Sequence, residues 1–363
     1  MISRIGGRAV NASAAAGLTV LVSLWLKGVG APKTIAVHGE PADPAAEAAI
    51  AAAGGQGRAA RSPTDIPKRG WWQILKRVYN EINDDNVLAQ AAAVTFYGLL
   101  ALFPAMATLV SLYGLIADPK TLSDSAASLQ GVVPGGGMDI ITGQLKSLAS
   151  SPGKALGIGL VIGLATSLWS ANAGVKALFD ALNIVYKEKE TRSFVRRTLL
   201  SLAFTLSTIV FLIVATAGVV VLPAVLNYVG LEGITKLLLK LARWPALLIM
   251  LGLFLSLLYR YGPCRRPARW RWVTWGSAVA TIGWLIASLA FSYYVQNFGN
   301  YNKTYGTLGA VIGFMTWLWI SSAVILIGAE LNSEMEHQTA RDTTEGPDKP
   351  LGTRGATMAD RVA

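Results

Sequence analysis

Asn172, Lys176 and Asp180 stand four residues apart in the run LVIGLATSLWSANAGVKALFDALNIVYK, residues 160–187. At 3.6 residues per turn, side chains with this spacing share one face of a helix. An amide, an ammonium and a carboxylate on an otherwise apolar helix can line a polar cavity, hold an anionic head group or relay protons. The plainer arrangement is a Lys176–Asp180 ion pair that only orders helices. Asn183 and Tyr186 carry the pattern toward the end of the same helix. Glu330, with Asn332 beside it, closes the mostly apolar stretch 305–329. Its carboxylate can pair with arginines of neighbouring loops or end a solvated helix.

A second group of candidates is basic. Arg192, Arg196 and Arg197 follow one apolar stretch, and Arg265, Arg266, Arg269 and Arg271 follow another. Such clusters fix membrane orientation, and they also bind anionic lipid head groups. Tyr293, Tyr294, Asn300, Tyr301, Asn302 and Tyr305 gather at the opposite ends of two apolar stretches, where aromatic side chains anchor helices at the membrane surface. No Walker A, HExxH or GxSxG sequence occurs, so no motif calls for ATP, a metal, another cofactor or an acyl nucleophile. The expectation is a protein that is not an enzyme.

The elements that must hold these residues are membrane helices. Of 363 residues, 53% are hydrophobic and 15% charged, against roughly 25% charged in soluble domains. The single cysteine excludes an internal disulfide, and two distant histidines argue against a clustered zinc site. Net charge is +11. The basic residues sit beside apolar stretches, so the expected partners are membrane lipids, including an anionic lipid or a lipid-linked substrate, and not nucleic acid. A homo-oligomer is left open.

Six spans are expected, near 87–116, 156–181, 199–222, 245–259, 272–295 and 305–329. The fourth is short, and 237–241 either extends it or forms a re-entrant turn. Trp71 to Ile82 alternates apolar and polar residues at helical spacing. It reads as an amphipathic helix lying in the membrane interface, or else packed on protein. Fourteen basic residues flank the spans on one side and seven on the other, which places both ends of the core in the cytoplasm. Residues 1–69 read as an extension, with a marginal apolar segment at 9–26 that spans, lies on the membrane or is removed. An Ala/Pro/Gly-rich linker, expected to be disordered, follows it. Residues 70–338 form the membrane domain. Residues 339–363 are expected to be a disordered polar tail.

Four runs resemble the YihY / virulence factor BrkB family. They are DDNVLAQAAAVTFYGLLALFPAM (84–106), SLWSANAGVKALFDALNIVY (167–186), LYRYGPCRRPARWRW (258–272) and YGTLGAVIGFMTWLWISSAVILIGAELNSE (305–334). The resemblance covers about 70–338, and the closing YGxLGA…GAELN pattern is its most specific part. It implies an all-α, polytopic bacterial inner-membrane protein with six core helices and cytoplasmic ends, linked to the cell envelope and, in some members, to lipid transport. The family-like positions are Asp85, Tyr97, Pro104, Trp169, Asn172, Asn183, Tyr186, Tyr305, Gly306, Glu330 and Asn332. Some members of the family carried the label ribonuclease BN, but this chain lacks the clustered histidines and aspartates of a zinc-dependent nuclease.

The leading expectation is a transporter or flippase-like protein for a lipid or amphipathic anion in cell-envelope biogenesis. Its substrate path would draw on Asn172, Lys176, Asp180, Asn183 and Glu330. A scaffold for envelope proteins is the second reading, and a ribonuclease the third.

Overall fold

The computed structural model describes residues 55–116, 153–216, 218, 234–298 and 307–363. The apolar segment 9–26, most of the linker, the loop after Ile116 and the residues Asn300, Tyr301, Asn302 and Tyr305 lie outside the described residues.

Among the described residues, seven helices follow a short 3-10 turn at Pro63–Asp65. They are α1 Lys68–Asp84, α2 Val87–Ile116, α3 Gly153–Val185, α4 Phe194–Thr216, α5 Ile234–Tyr261, α6 Trp270–Phe298 and α7 Thr307–Gln338. The described residues contain no strand, only a single bridge between Ala268 and Thr344. Among the described residues, four stretches are long and apolar enough to cross a membrane: Phe194–Ala215, Leu241–Tyr261, Trp270–Asn297 and Val311–Gln338. α2 and α3 run for 30 and 33 residues, about 45–50 Å at 1.5 Å per residue. The short span expected near 245–259 is part of one continuous helix through Pro245, and 237–241 extends it without a re-entrant turn.

α7 is the central helix, packed against α1, α2, α3 and α6. α2 lies along α3, α4 against α3, and α5 against α6. Burial is concentrated at one end of the bundle. Phe179, Leu182 and Tyr186 of the α3 end meet Leu255, Leu258 and Tyr259 of α5 and Leu326 and Ala329 of α7. Along the rest of the helices large apolar side chains face outward, among them Val210, Ile213, Ile249, Ile282, Ile286 and Leu289. That is the distribution expected where lipid is the solvent.

Two glycines set the closest crossing. A Cβ on Gly328 would stand 2.7 Å from Ala280 Cβ, the Gly276 carbonyl oxygen and the Tyr259 hydroxyl. One on Gly276 would collide with the Gly328 carbonyl and the Asn332 amide. The crossing is pinned by Tyr259, which donates to the Ile325 carbonyl at 2.7 Å, and by Asn332, whose Oδ1 accepts from the Gly276 N–H at 2.8 Å. The GAELN sequence thus supplies a small residue for contact and an amide for locking.

α1 is amphipathic, but its apolar residues divide between two surroundings. Gly70, Ile74 and Val78 are buried, with Ile74 and Val78 in a cluster with Leu331, Met335 and Trp272. Trp72, Leu75 and Tyr79 are exposed, at 72%, 51% and 70%. One stripe therefore packs on protein, and a second aromatic stripe remains outside.

The reading of 339–363 as a disordered tail is corrected by the structure, and so is the reading of the linker over 55–67. Arg354 is fully buried, and its guanidinium donates to the carbonyls of Lys349, Ala359 and Ala340 at 3.0, 2.7 and 2.6 Å. Thr339 donates to the Ala60 carbonyl at 2.7 Å, and the Ala340 N–H to that of Arg58 at 2.8 Å. The α5–α6 loop is drawn in as well, since Arg266 N–H donates to Gly355 and Arg269 N–H to Thr343, both at 2.8 Å. These segments order through polar side chains that satisfy backbone groups. A search for apolar periodicity does not register such contacts.

Four stability outcomes follow. Gly276→Ala overpacks the α6–α7 crossing and is expected to cost about 1–3 kcal/mol. Gly98→Ala, with no atom within 4 Å of the added Cβ, should not destabilise. The Arg265–Glu336 pair (2.6 Å) has both side chains 0% exposed, so Glu336→Ala should cost about 3–5 kcal/mol by stranding a guanidinium. Asp348→Ala, at an exposed pair with Arg269, should give no measurable loss. Thermal unfolding of the purified protein checks all four.

Candidate functional site

α3 carries Asn172, Lys176 and Asp180 on neighbouring turns but not into one environment. A step of four residues advances 400°, so each successive side chain is rotated about 40°. The three fan across about 80° from the core to the surface. Asn172 is 1% exposed and its Oδ1 is buried without a hydrogen-bond partner. Lys176 is half-buried, and Asp180 is exposed. The Lys176–Asp180 ion pair is absent. Asp180 instead accepts from Arg197 through both carboxylate oxygens at 2.7 Å, tying α3 to α4.

Lys176 lies at the seam of α3 and α4. Its ammonium donates to Thr198 Oγ1 at 3.0 Å and sits 5.0 Å from the Phe194 ring centre and 5.6 Å from that of Trp169. It forms no ion pair among the described residues. The neighbouring Trp169, Phe194, Val195 and Leu199 are all at least half exposed. The result is a cation on an apolar outer surface, flanked by aromatic faces.

Asn183 is a clamp. Its Nδ2 donates to Glu190 at 3.1 Å, and its Oδ1 accepts from the Cys264 N–H at 2.7 Å. Glu190 is held by Arg192 in a two-pronged pair at 2.8 and 2.6 Å. Burial pushes the Glu190 carboxyl upward, but its bonds to Arg192 outweigh this and bring it down to about 2.

The basic rim is largely occupied by the chain's own carboxylates. Arg192 pairs with Glu190, Arg197 with Asp180, Arg265 with Glu336, Arg266 with Asp342 at 4.0 Å and Arg269 with Asp348. Arg271 is exposed and Arg196 half-buried. Asp342 and Asp348 belong to the segment after α7, which therefore covers much of the α5–α6 part of the rim.

Glu330 is not a solvated helix end. It is 1% exposed, and its Oε1 is buried without a partner. The charged groups acting on it most strongly are Asp85, Lys187 and Glu81. Lys187 bridges Asp85 and Glu81, the latter at 2.7 Å. Its backbone is left-handed at φ 55°, a position where α helices usually place glycine. Here the lysine ends α3 and sends its ammonium to the α1–α2 turn. Burial alone would lower the Lys187 ammonium, but the bonds to Asp85 and Glu81 raise it. α7 thus ends in a polar hub where Glu334 meets Arg77, and Ser333 donates to the Val185 carbonyl at 2.9 Å. Of the sequence candidates, the hub gathers Glu330 and Arg265, with Asn183 beside them. Lys176 and Asp180 stand apart at the α3–α4 seam. Sequence reasoning passed over Glu81, Lys187, Glu334 and Glu336 as site residues. The signal available was the acidic spacing Glu330, Glu334 and Glu336 on the last turns of α7.

At the other end α6 and α7 separate around a groove of about 1020 Å³. Phe291, Tyr294, Ile312, Phe314 and Trp317 line it, with Ser288 and Thr316 as polar points.

Residues 78–352 match the virulence factor BrkB family. Among curated relatives, the ribonuclease-like protein YfkH of Bacillus subtilis (strain 168) is 27% identical over 76% of this chain and 98% of its own length. The UPF0761 membrane protein Nmul_A0452 of Nitrosospira multiformis is 25% identical over 71% of this chain, which spans 59% of that relative. The UPF0761 membrane protein PSHAa0171 of Pseudoalteromonas translucida is 24% identical, over 76% of this chain and 89% of its own length. No solved structure matches. With three quarters of its length matched end to end, this all-helical membrane chain belongs to the virulence factor BrkB family.

Proposed function

We propose that the chain is a six-span inner-membrane protein that translocates a lipid or amphipathic anion in cell-envelope biogenesis, without catalysing a reaction. The six spans would be α2 to α7, with the hub end in the cytoplasm, as the excess of basic residues there supports. The exposed Trp72, Leu75 and Tyr79 of α1 would then lie in the membrane interface.

The observation that carries the reading is Lys176. A cation without a carboxylate partner, on an apolar surface between Trp169 and Phe194, suits an anionic head group whose chains remain in lipid. The path would follow the outer seam of α3 and α4 and not an interior cavity, because Asn172 is turned into the core while Lys176 is not. Among the described residues no three His, Cys, Asp or Glu side chains form a metal-holding set. The second reading, a scaffold for envelope proteins, draws on the ordered surface made by residues 55–67 and 339–363.

The test is movement of labelled phosphatidylglycerol across proteoliposomes, with labelled phosphatidylcholine as the neutral comparison. Movement of the anionic lipid above empty liposomes is expected. Lys176→Ala should slow it about tenfold, the loss of one charge-assisted bond, and Lys176→Arg should retain most of it. Asn172→Ala should act through stability alone. No movement of any anionic lipid by folded protein would overturn the reading in favour of the scaffold.

A further inference from the structure

We infer that the carboxyl groups of Asp85 and Glu330 share a single proton, which makes the hub a proton-binding site joining the α1–α2 turn to α7. The inference stands on the hub's own geometry and does not require that the protein move lipid.

The argument begins with unsatisfied oxygens. Glu330 Oε1 and Asp85 Oδ2 are both buried, and neither has a hydrogen-bond partner. Glu330 is 1% exposed, and the Asp85 side chain 9%. A buried carboxylate oxygen with no donor is among the costliest groups a protein can hold. Here the two oxygens belong to neighbouring acids, since the Asp85 and Glu330 carboxyl groups lie within hydrogen-bonding reach of each other.

The charge balance points the same way. Four elements face the site. α1 presents Arg77 and Glu81, and its turn into α2 presents Asp85. Past the α3 end stand Tyr186, a buried phenol whose hydroxyl makes no hydrogen bond to Glu330, and Lys187. α7 presents Glu330, Glu334 and His337. The α5–α6 loop presents Arg265, whose partner is Glu336. Arg77 pairs with Glu334, beside which His337 lies at 3.5 Å, and Arg265 pairs with Glu336. That leaves Glu81, Asp85 and Glu330 against Lys187 alone, whose ammonium is already divided between Glu81 and Asp85. No cation is left for Glu330.

One proton resolves both problems. A proton taken from water by one carboxylate converts it to an acid. Its O–H then donates to an oxygen of the other, so that one missing donor and one surplus negative charge are cancelled together. Two carboxyl groups in contact behave in this way as a single titrating unit. A metal ion is a poorer fit, because the oxygens present do not form a three-ligand set. The structural consequence is local. With the proton bound, the α1–α2 turn is tied to α7. With it released, two like charges oppose each other across that contact.

The experiment is infrared spectroscopy of the full chain in lipid nanodiscs at neutral pH, following the carbonyl stretch of a protonated carboxylic acid and its shift in heavy water. The wild type should show the band. Glu330→Gln and Asp85→Asn should each abolish it, because either amide donates to the remaining carboxylate and no proton is then needed. Asp180→Asn, at an exposed pair on α3, should leave it intact. Should one hub variant fail to fold, the other gives the same readout. Absence of the band in wild type, or its survival in a folded Glu330→Gln or Asp85→Asn variant, overturns the inference. Neither result depends on lipid movement, so failure here and failure of translocation are separate findings.

Discussion

The constraint on which the structure depends is burial of the polar end of α7. From Glu330 to Gln338 the helix carries Glu330, Asn332, Ser333, Glu334, Glu336 and Gln338, and all of them are buried. Each must find donors or acceptors that lipid cannot supply. Arg77 and Gln73 come from α1, Val185 from the α3 end, Arg265 from the α5–α6 loop, and Gln56 from the segment before α1. Elements distant in sequence converge there because that is where the unsatisfied groups are. The apolar halves of the same helices need no such partners and remain open to lipid.

This division explains what could be read from the sequence. Long apolar stretches announce themselves through length and composition, so α2 and α6 start and end close to where hydropathy puts them, whereas α5 begins at Ile234, well before the expected 245, and α7 runs past 329 to Gln338 on polar residues that hydropathy does not count. Pro245 lies inside α5 and does not stop it, because in a membrane helix the backbone groups that a proline frees can be satisfied by neighbouring helices, hydroxyl side chains and local adjustment of the turn. The order in 339–363 was not legible. It rests on Arg354, Asp342 and Asp360 bonding to backbone groups several residues away, and neither composition nor period encodes that.

The candidate site shows the limit of spacing arguments. Positions i, i+4 and i+8 do lie on one side of a helix, yet the 40° drift at each step is enough to carry a side chain from core to surface. Asn172 and Asp180 therefore occupy different media although the pattern groups them. Glu330 was legible as a candidate because a carboxylate closing an apolar helix is conspicuous. Its companions were not, since Asp85 and Lys187 sit in turns where charged residues are ordinary. Nothing short of the fold brings residues 85, 187 and 330 together.

The two ends of the α6–α7 pair differ in what holds them. Near the hub, Gly276 and Gly328 bring the helices into contact, and Asn332 and Tyr259 bond across the crossing. Further along, Trp284 donates to Ser321 at 3.0 Å and Trp317 to Ser288 at 3.3 Å, after which the groove begins. Close-packed interiors resist small displacements, whereas helices separated by a groove do not meet that resistance. Any change in the spacing of these helices is therefore borne by their far halves, with the glycine crossing as its fixed point. The hub's ion pairs and the glycine crossing hold one end of the pair together, and aromatic side chains line the groove between the helices at the other.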